Sequence, residues 1–223
     1  WKRVLSTINY TLGEALGELY VERAFPPHAK ARANEKIENL KKALATRIKG
    51  LPWMTEPTKE MALKKLSTFT SKIGYPDKWR DYSALTIDRN SYVGNVSRVS
   101  SFEYRRQMNK IGKPVDRTEW GMPPQLINAY YNPLLNEICF PAGIMQPPYL
   151  EGDMDDAVNY GAVGAVIGHE ISHGYDDQGS QFDADGNMKM WWSDADRAEF
   201  ERRADVLVKQ VDGYEVLDSV FLN

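Results

Sequence analysis

Apolar residues recur every three or four positions through most of the first half of the chain. Val4, Leu5, Ile8, Leu12, Ala15, Leu16, Leu19 and Tyr20 share one helical face, which predicts a helix from Val4 to about Phe25, ended by Pro26-Pro27. His28 then falls in a loop. The stripe Ala33, Ile37, Leu40, Leu44 and Ile48 predicts a second helix from Ala29 to Lys49, with Gly50 as its stop. Thr55 is placed to cap a third, with Pro57 in its first turn. Its stripe of Met61 or Ala62, Leu66, Phe69 and Ile73 runs on to the break Gly74-Tyr75-Pro76-Asp77. Residues 77–90 read as loop. Val93, Val96, Val99 and Phe102 predict another helix from Asn90 to about Lys110, closed by Gly112-Lys113-Pro114. Such stripes face a core.

Near residue 115 the pattern changes to a Pro/Gly/aromatic-rich stretch, a candidate boundary. Leu126–Tyr131 and Glu137–Phe140 are short runs of strand formers separated by the turn signal Asn132-Pro133. A helix follows, capped by Asp153, Asp155 or Asp156. It carries Gly161, Gly164 and Gly168, each costing about 1 kcal/mol relative to alanine, and close backbone approach is their expected use. Asp183–Asn187 reads as a turn. Its glycine stands fourth rather than sixth, which excludes the EF-hand calcium loop. Ser193 or Asp194 can cap a last helix, with Phe200, Ala204, Leu207, Val208 and Val211 facing the core.

The 223 residues, 42% of them hydrophobic, suffice for one large domain or two small ones. The net charge of −3 is too small and too mixed for a nucleic-acid partner. Cys139 is the only cysteine, so an intramolecular disulfide and a cysteine metal site are both excluded; between Ile138 and Phe140 it reads as a core residue. No apolar run reaches the roughly 18 residues of a membrane span, and no signal peptide is visible. Asn9-Tyr10-Thr11 and Asn95-Val96-Ser97 fit the glycosylation sequon. The sequence starts at Trp1 inside a helical pattern and stops at Phe221-Leu222-Asn223, which leads to the expectation of an excerpt from a longer protein.

The chemistry concentrates in Val166–Tyr175, which contains His-Glu-x-x-His. His169 and His173 stand four apart and can aim both imidazoles at one ion, for which zinc is the expected metal. Glu170 lies about 100° further round and can reach a water on that ion without being a ligand. The plain alternative is two surface histidines and a solvated glutamate. The apolar run Ala162, Val163, Ala165, Val166 and Ile167 weighs against it, because buried polar groups need partners. Asp176 or Asp177 can hydrogen-bond a ligating histidine.

Several stretches occur together, in order, in one family. They are Gly17–Glu22, Ile73–Pro76, Asn128-Ala129-Tyr130-Tyr131, Phe140–Pro148, Val166–Asp177 and Trp191-Trp192. On these the chain resembles the neprilysin family of zinc metallopeptidases, which also includes endothelin-converting enzymes and bacterial endopeptidase O. The resemblance implies a predominantly α fold with a small mixed sheet (α+β): a helical lobe over residues 1–115, and the N-terminal part of an incomplete zincin-type catalytic domain over 116–223. It implies one zinc ion held by His169 and His173, Glu170 as the catalytic glutamate, and Asn128 and Ala129 as edge-strand residues that bind peptide backbone. Asp176 matches an acidic position of the family's active-site region. The family's third ligand lies in a downstream Glu-Asn-x-x-Asp motif, expected beyond Asn223. Glu201-Arg202-Arg203-Ala204-Asp205 has the glutamate-to-aspartate spacing of that motif but not its place, and Glu201 reads as a solvated residue.

The leading expectation is a zinc-dependent endopeptidase or oligopeptidase in which Glu170 is general base toward a zinc-activated water. The partners are peptide substrates and the missing C-terminal part of the same protein. The alternatives are a catalytically incomplete peptide-binding module and another zinc hydrolase that uses Glu201. Family members occur on cell surfaces, secreted and in bacteria, and a single cysteine points to a bacterial one. Substrate preference and oligomeric state are not legible.

Overall fold

Glu137–Pro141 is buried at every position, as suits a strand with neighbours on both edges and layers on both faces. In the computed structural model, which describes residues 1–151 and 154–221, this segment is the centre of a three-stranded mixed sheet. The chain reaches it through α1 (Lys2–Thr11), α2 (Gly13–Ala24), α3 (Pro27–Lys49), α4 (Glu56–Ser67), β1 (Thr70–Gly74), α5 (Tyr92–Met108) and β2 (Tyr130–Asn132); Glu137–Pro141 is β3. Then follow α6 (Asp156–Gly161), α7 (Val163–Ser172), α8 (Asp194–Asp212) and a small hairpin, β4 (Glu215–Leu217) and β5 (Val220–Phe221). The expected helix-rich chain with a small mixed sheet is what forms. β1 pairs parallel with β3, Thr70 opposite Glu137, and β2 pairs antiparallel with it, Tyr130 opposite Cys139. The sheet therefore joins a strand from before residue 115 to two from after it. Cys139 is fully buried in this central strand.

The main core lies between α3, the sheet and α7, and gathers Ile37, Phe69, Ile73, Ile138, Phe140, Val163, Ile167 and Ile171. A second cluster packs Ile48, Met54 and Ala62 against Trp191 and Trp192. Among the described residues no helix is long and apolar enough to cross a membrane.

Several expected boundaries move. The first predicted helix breaks at Leu12, because α2 turns to lie flush on Pro123 and Pro124. A Cβ on Gly13 or Gly17 would fall 2.8 and 2.5 Å from those two prolines. Pro27 opens α3 rather than ending α2, so His28 sits exposed in a first helical turn. The third predicted helix stops at Ser67, and Phe69 and Ile73 face the core from just before β1 and from within it. The parallel pairing with β3 overrides their helical spacing. Asp155 caps α6 by accepting the Ala157 amide, and Asp153 lies outside the described residues. The predicted metal-motif helix is interrupted at Ala162, where the Val163 amide donates to the Tyr149 carbonyl and α7 starts afresh. Gly161 and Gly168 have nothing within 4 Å of an added Cβ, so close approach does not account for them; Gly164 meets the Tyr160 ring. The sequon residues Asn9 and Asn95 lie in α1 and α5.

Ser193 caps α8, as expected, and Phe200 packs edge-on to Trp192. Further along, Leu207 and Val208 are 63% and 53% exposed, against expectation, because α8 runs past the edge of the tryptophan cluster. Its anchor is Asp196, buried in the first turn. Its carboxylate accepts the Thr55 amide and the hydroxyls of Thr55, Thr58 and Ser193. Thr55 therefore ties α4 to α8 instead of capping α4 with its side chain. Burial pushes the Asp196 carboxyl up, but these donors together outweigh it and hold it at about 2, below the ordinary value of 3.8. A depressed carboxyl contributes stability above its unfolded pKa and loses it as pH falls through the folded one. The expected result is a loss of about 2 kcal/mol between pH 4 and pH 2 that D196N does not show. Denaturant unfolding of both proteins across that window checks it, and parallel profiles would contradict it.

Candidate metal centre and active site

α7 is built as a one-sided helix. Val163, Ile167 and Ile171 recur every fourth residue and are buried against α3 and the sheet, while Ala165, Gly168, His169 and Ser172 face outward. That phase brings His169 and His173 together on the open side. Their Nε2 atoms stand 3.1 Å apart, with the rings nearly perpendicular. Two nitrogens bound tetrahedrally at about 2.0–2.1 Å to one zinc stand about 3.3 Å apart, so the pair fits a shared ion. Asp176 Oδ2 lies 2.9 Å from His173 Nδ1. A carboxylate there holds the proton on Nδ1 and leaves the Nε2 lone pair for a metal.

Asp176 is itself fixed. Its other oxygen accepts the amides of Gln178 at 3.0 Å and Gly179 at 2.7 Å. Asp177 does not reach the histidines; its carboxylate takes the Gln178 side chain. Glu170, one position on from His169, turns toward the sheet and is buried. Burial pushes its carboxyl up from the ordinary range, while His169, His173 and the Tyr131 amide pull the other way. A buried carboxylate beside two imidazoles on an open face is equipped to take and return a proton.

Asn128 and Ala129 stand immediately before β2 rather than within a strand over 126–131. Extending the register would set Asn128 opposite Pro141, which has no amide to donate. The Ala129 amide instead takes the Asn128 side chain at 2.9 Å. β2 is nonetheless an edge strand of the sheet, α7 packs against it, and Asn128, exposed, and Ala129, half-buried, lead directly into it. Glu201 is not brought to the centre; it is exposed on α8 and paired with Arg197 at 2.9 Å. No group of three His, Cys, Asp or Glu among the described residues converges as a full metal-ligand set. A groove of about 1700 Å³ opens elsewhere, between α5 and the segment 109–121, and none of His169, Glu170 or His173 lines it.

Lys65, Asn136 and Gly179 border the site but stand outside every motif of the sequence. In the sequence Lys65 is one half of a Lys64-Lys65 pair on α4. The available signal was its place three residues after Ala62 and next to Leu66, on the buried face.

Two models of one family match the chain, both described as peptidase family M13, one over residues 1–76 and the other over residues 128–223. Endothelin-converting enzyme 1 of Homo sapiens is 37% identical over 226 residues, which takes in 97% of this chain and 29% of that protein. The solved structure of zinc metalloprotease ZMP1 from Mycobacterium tuberculosis, in complex with an inhibitor, matches with a TM-score of 0.90 at 50% identity, covering 98% of this chain and 33% of that one. PEPO from Lactobacillus rhamnosis HN001 matches with a TM-score of 0.86 at 33% identity, over 96% of this chain and 34% of that one. The chain thus spans about a third of the length of these relatives.

Proposed function

The chain belongs to peptidase family M13, and from that premise we propose that the complete protein is a zinc-dependent endopeptidase or oligopeptidase. The observation that carries this reading is the convergence of the His169 and His173 Nε2 atoms, with Asp176 behind one imidazole and Glu170 buried alongside. His169 and His173 would hold the ion. When bound, zinc polarises the scissile carbonyl and acidifies a water. Asp176 keeps the His173 proton on Nδ1. Glu170 takes a proton from the attacking water and passes it to the leaving amine, work that suits a carboxylate shielded from bulk solvent. Asn128 and Ala129 offer main-chain groups at the sheet edge to an extended peptide, a mode of binding that tolerates many side chains. The third ligand is assigned to the part of the relatives' length that lies outside these residues. Within this reading residues 116–223 are the first part of the catalytic domain, and the helical lobe, residues 1–115, lends β1 to its sheet.

Elemental analysis of the complete protein, paired with a peptide-hydrolysis assay, tests the proposal. One zinc per chain is expected, with hydrolysis lost on chelation and restored by zinc. Zinc-loaded protein that binds peptide without cleaving it would replace the peptidase reading with that of a peptide-binding module.

A further inference from the structure

Lys65 is the most deeply buried lysine among the described residues, at 1% exposure, yet no carboxylate pairs with it. A buried ammonium is costly unless its donors are satisfied. Its Nζ donates to two backbone carbonyls, Gly179 and Phe182, each at 2.7 Å. Those carbonyls bracket the single helical turn Gly179–Gln181 that follows the histidine helix. The same turn presents the Gln178 and Gly179 amides to Asp176. Gly179 is the shared link: its N–H faces Asp176 and its C=O faces Lys65. The Lys65 ammonium also lies 5.9 Å from the Tyr131 ring centre and 5.5 Å from that of Trp191. The Lys65 carbonyl accepts the Asn136 side chain, whose oxygen takes the Tyr131 hydroxyl. One lysine on α4 thus ties together the turn behind His173 and the hairpin that carries the sheet edge.

We propose that Lys65 is a positioning residue of the metal centre, which holds the turn 176–182 so that Asp176 keeps the His173 imidazole aimed at the ion. The inference rests on the zinc reading given above. Burial lowers the Lys65 pKa to about 8, with Asp176 and Asp183 pulling it back up, so the ammonium persists at neutral pH. Without it the Phe182 carbonyl loses its lysine donor and the Gly179 carbonyl keeps only the Phe182 amide and the Trp191 indole, so the turn is held less firmly against the helix end. Nothing in this role requires Lys65 to touch substrate or metal.

The test is the zinc dissociation constant of the complete protein, measured by chelator competition, for the unmodified protein, K65M, D176N and the double variant. K65M is expected to bind zinc about tenfold or more weakly, the range typical when a residue supporting a metal ligand is lost. D176N is expected to do the same. The double variant should lose little beyond D176N, because both changes act through one carboxylate. A lysine needed only for packing would lower the melting temperature of the zinc-free protein and leave zinc affinity within twofold, or add its effect in full to that of D176N; either result overturns the proposal. If K65M is not recovered folded, K65Q, which keeps a donor, is read against the same thresholds. Failure of both to fold by circular dichroism makes Lys65 a folding residue and also overturns it. If the unmodified protein binds no zinc, the zinc reading fails first, and that outcome is distinct from the others.

Discussion

Replacing Glu170 by glutamine is expected to lower kcat for peptide hydrolysis at least a thousandfold in the complete protein while leaving one zinc per chain. The two halves of this result have separate causes. His169 and His173 meet through their own Nε2 atoms, and Asp176 supports His173 from behind, so on the proposed reading Glu170 has no part in holding the ion. Glutamine has nearly the shape of glutamate and fits the same buried slot, but its amide cannot accept the proton of an attacking water. General base catalysis contributes about 10²–10⁴-fold, and under the proposed mechanism one group both takes the proton and returns it, which places the loss toward the upper end. A thousandfold loss corresponds to about 4 kcal/mol of transition-state stabilisation. Steady-state kinetics on a fluorogenic peptide together with metal analysis read both halves. A variant that keeps a tenth of the activity would remove Glu170 from the proton-transfer role. A variant that loses its zinc would mean that the carboxylate supports the metal rather than the proton.

The parts of this site that were legible in the sequence are those that one helix turn can encode. His169, Glu170 and His173 are local, and a 3.6-residue repeat fixes their relation before any tertiary contact forms. Asp176 was legible only as one of two candidates beside Asp177, because it lies past the helix end and the turn that follows decides which carboxylate reaches His173. Lys65 and Gly179 are separated by more than a hundred residues and meet only through the fold. Their chemistry, an ammonium on a backbone carbonyl, has no sequence signature. The fold divides in the same way. The stripe of α3 is periodic over its full length and was read nearly to its ends, whereas Phe69 and Ile73 continue a helical spacing into a strand because β3 lies beside them. The exposed half of α8 shows the converse. Leu207 and Val208 carry a core-facing pattern with no core opposite them among the described residues, and periodicity alone does not specify what covers a face.

Gly179→Ala is expected to destabilise the protein by about 3 kcal/mol and to weaken zinc binding about tenfold or more, whereas Gly168→Ala, on the same stretch, should leave stability unchanged or raise it by up to about 1 kcal/mol. The contrast is geometric. An added Cβ at Gly179 would lie 2.0 Å from the His173 carbonyl oxygen, and 2.5 and 2.8 Å from the Gly174 carbonyl carbon and oxygen. These are backbone atoms of the helix end, so no rotamer change relieves the clash and the turn itself must lift. Overpacking of this kind costs about 1–3 kcal/mol, and more where the backbone cannot yield. Lifting the turn also withdraws the Gln178 and Gly179 amides from Asp176 and the Gly179 carbonyl from Lys65, which is why zinc affinity falls with stability. At Gly168 an added Cβ meets nothing within 4 Å, and alanine there replaces a poor helix former with the best one. Unfolding of the zinc-free variants separates the stability effect from the metal effect, and chelator competition on the folded proteins reads the second. If Gly179→Ala unfolds more easily but holds zinc as tightly as the unmodified protein, the turn supports the fold without steering His173, and Asp176 must keep its place by other means. If both quantities fall together, the glycine is there because the helix that presents the histidines and the turn that orients them pack backbone to backbone, leaving no room for a side chain.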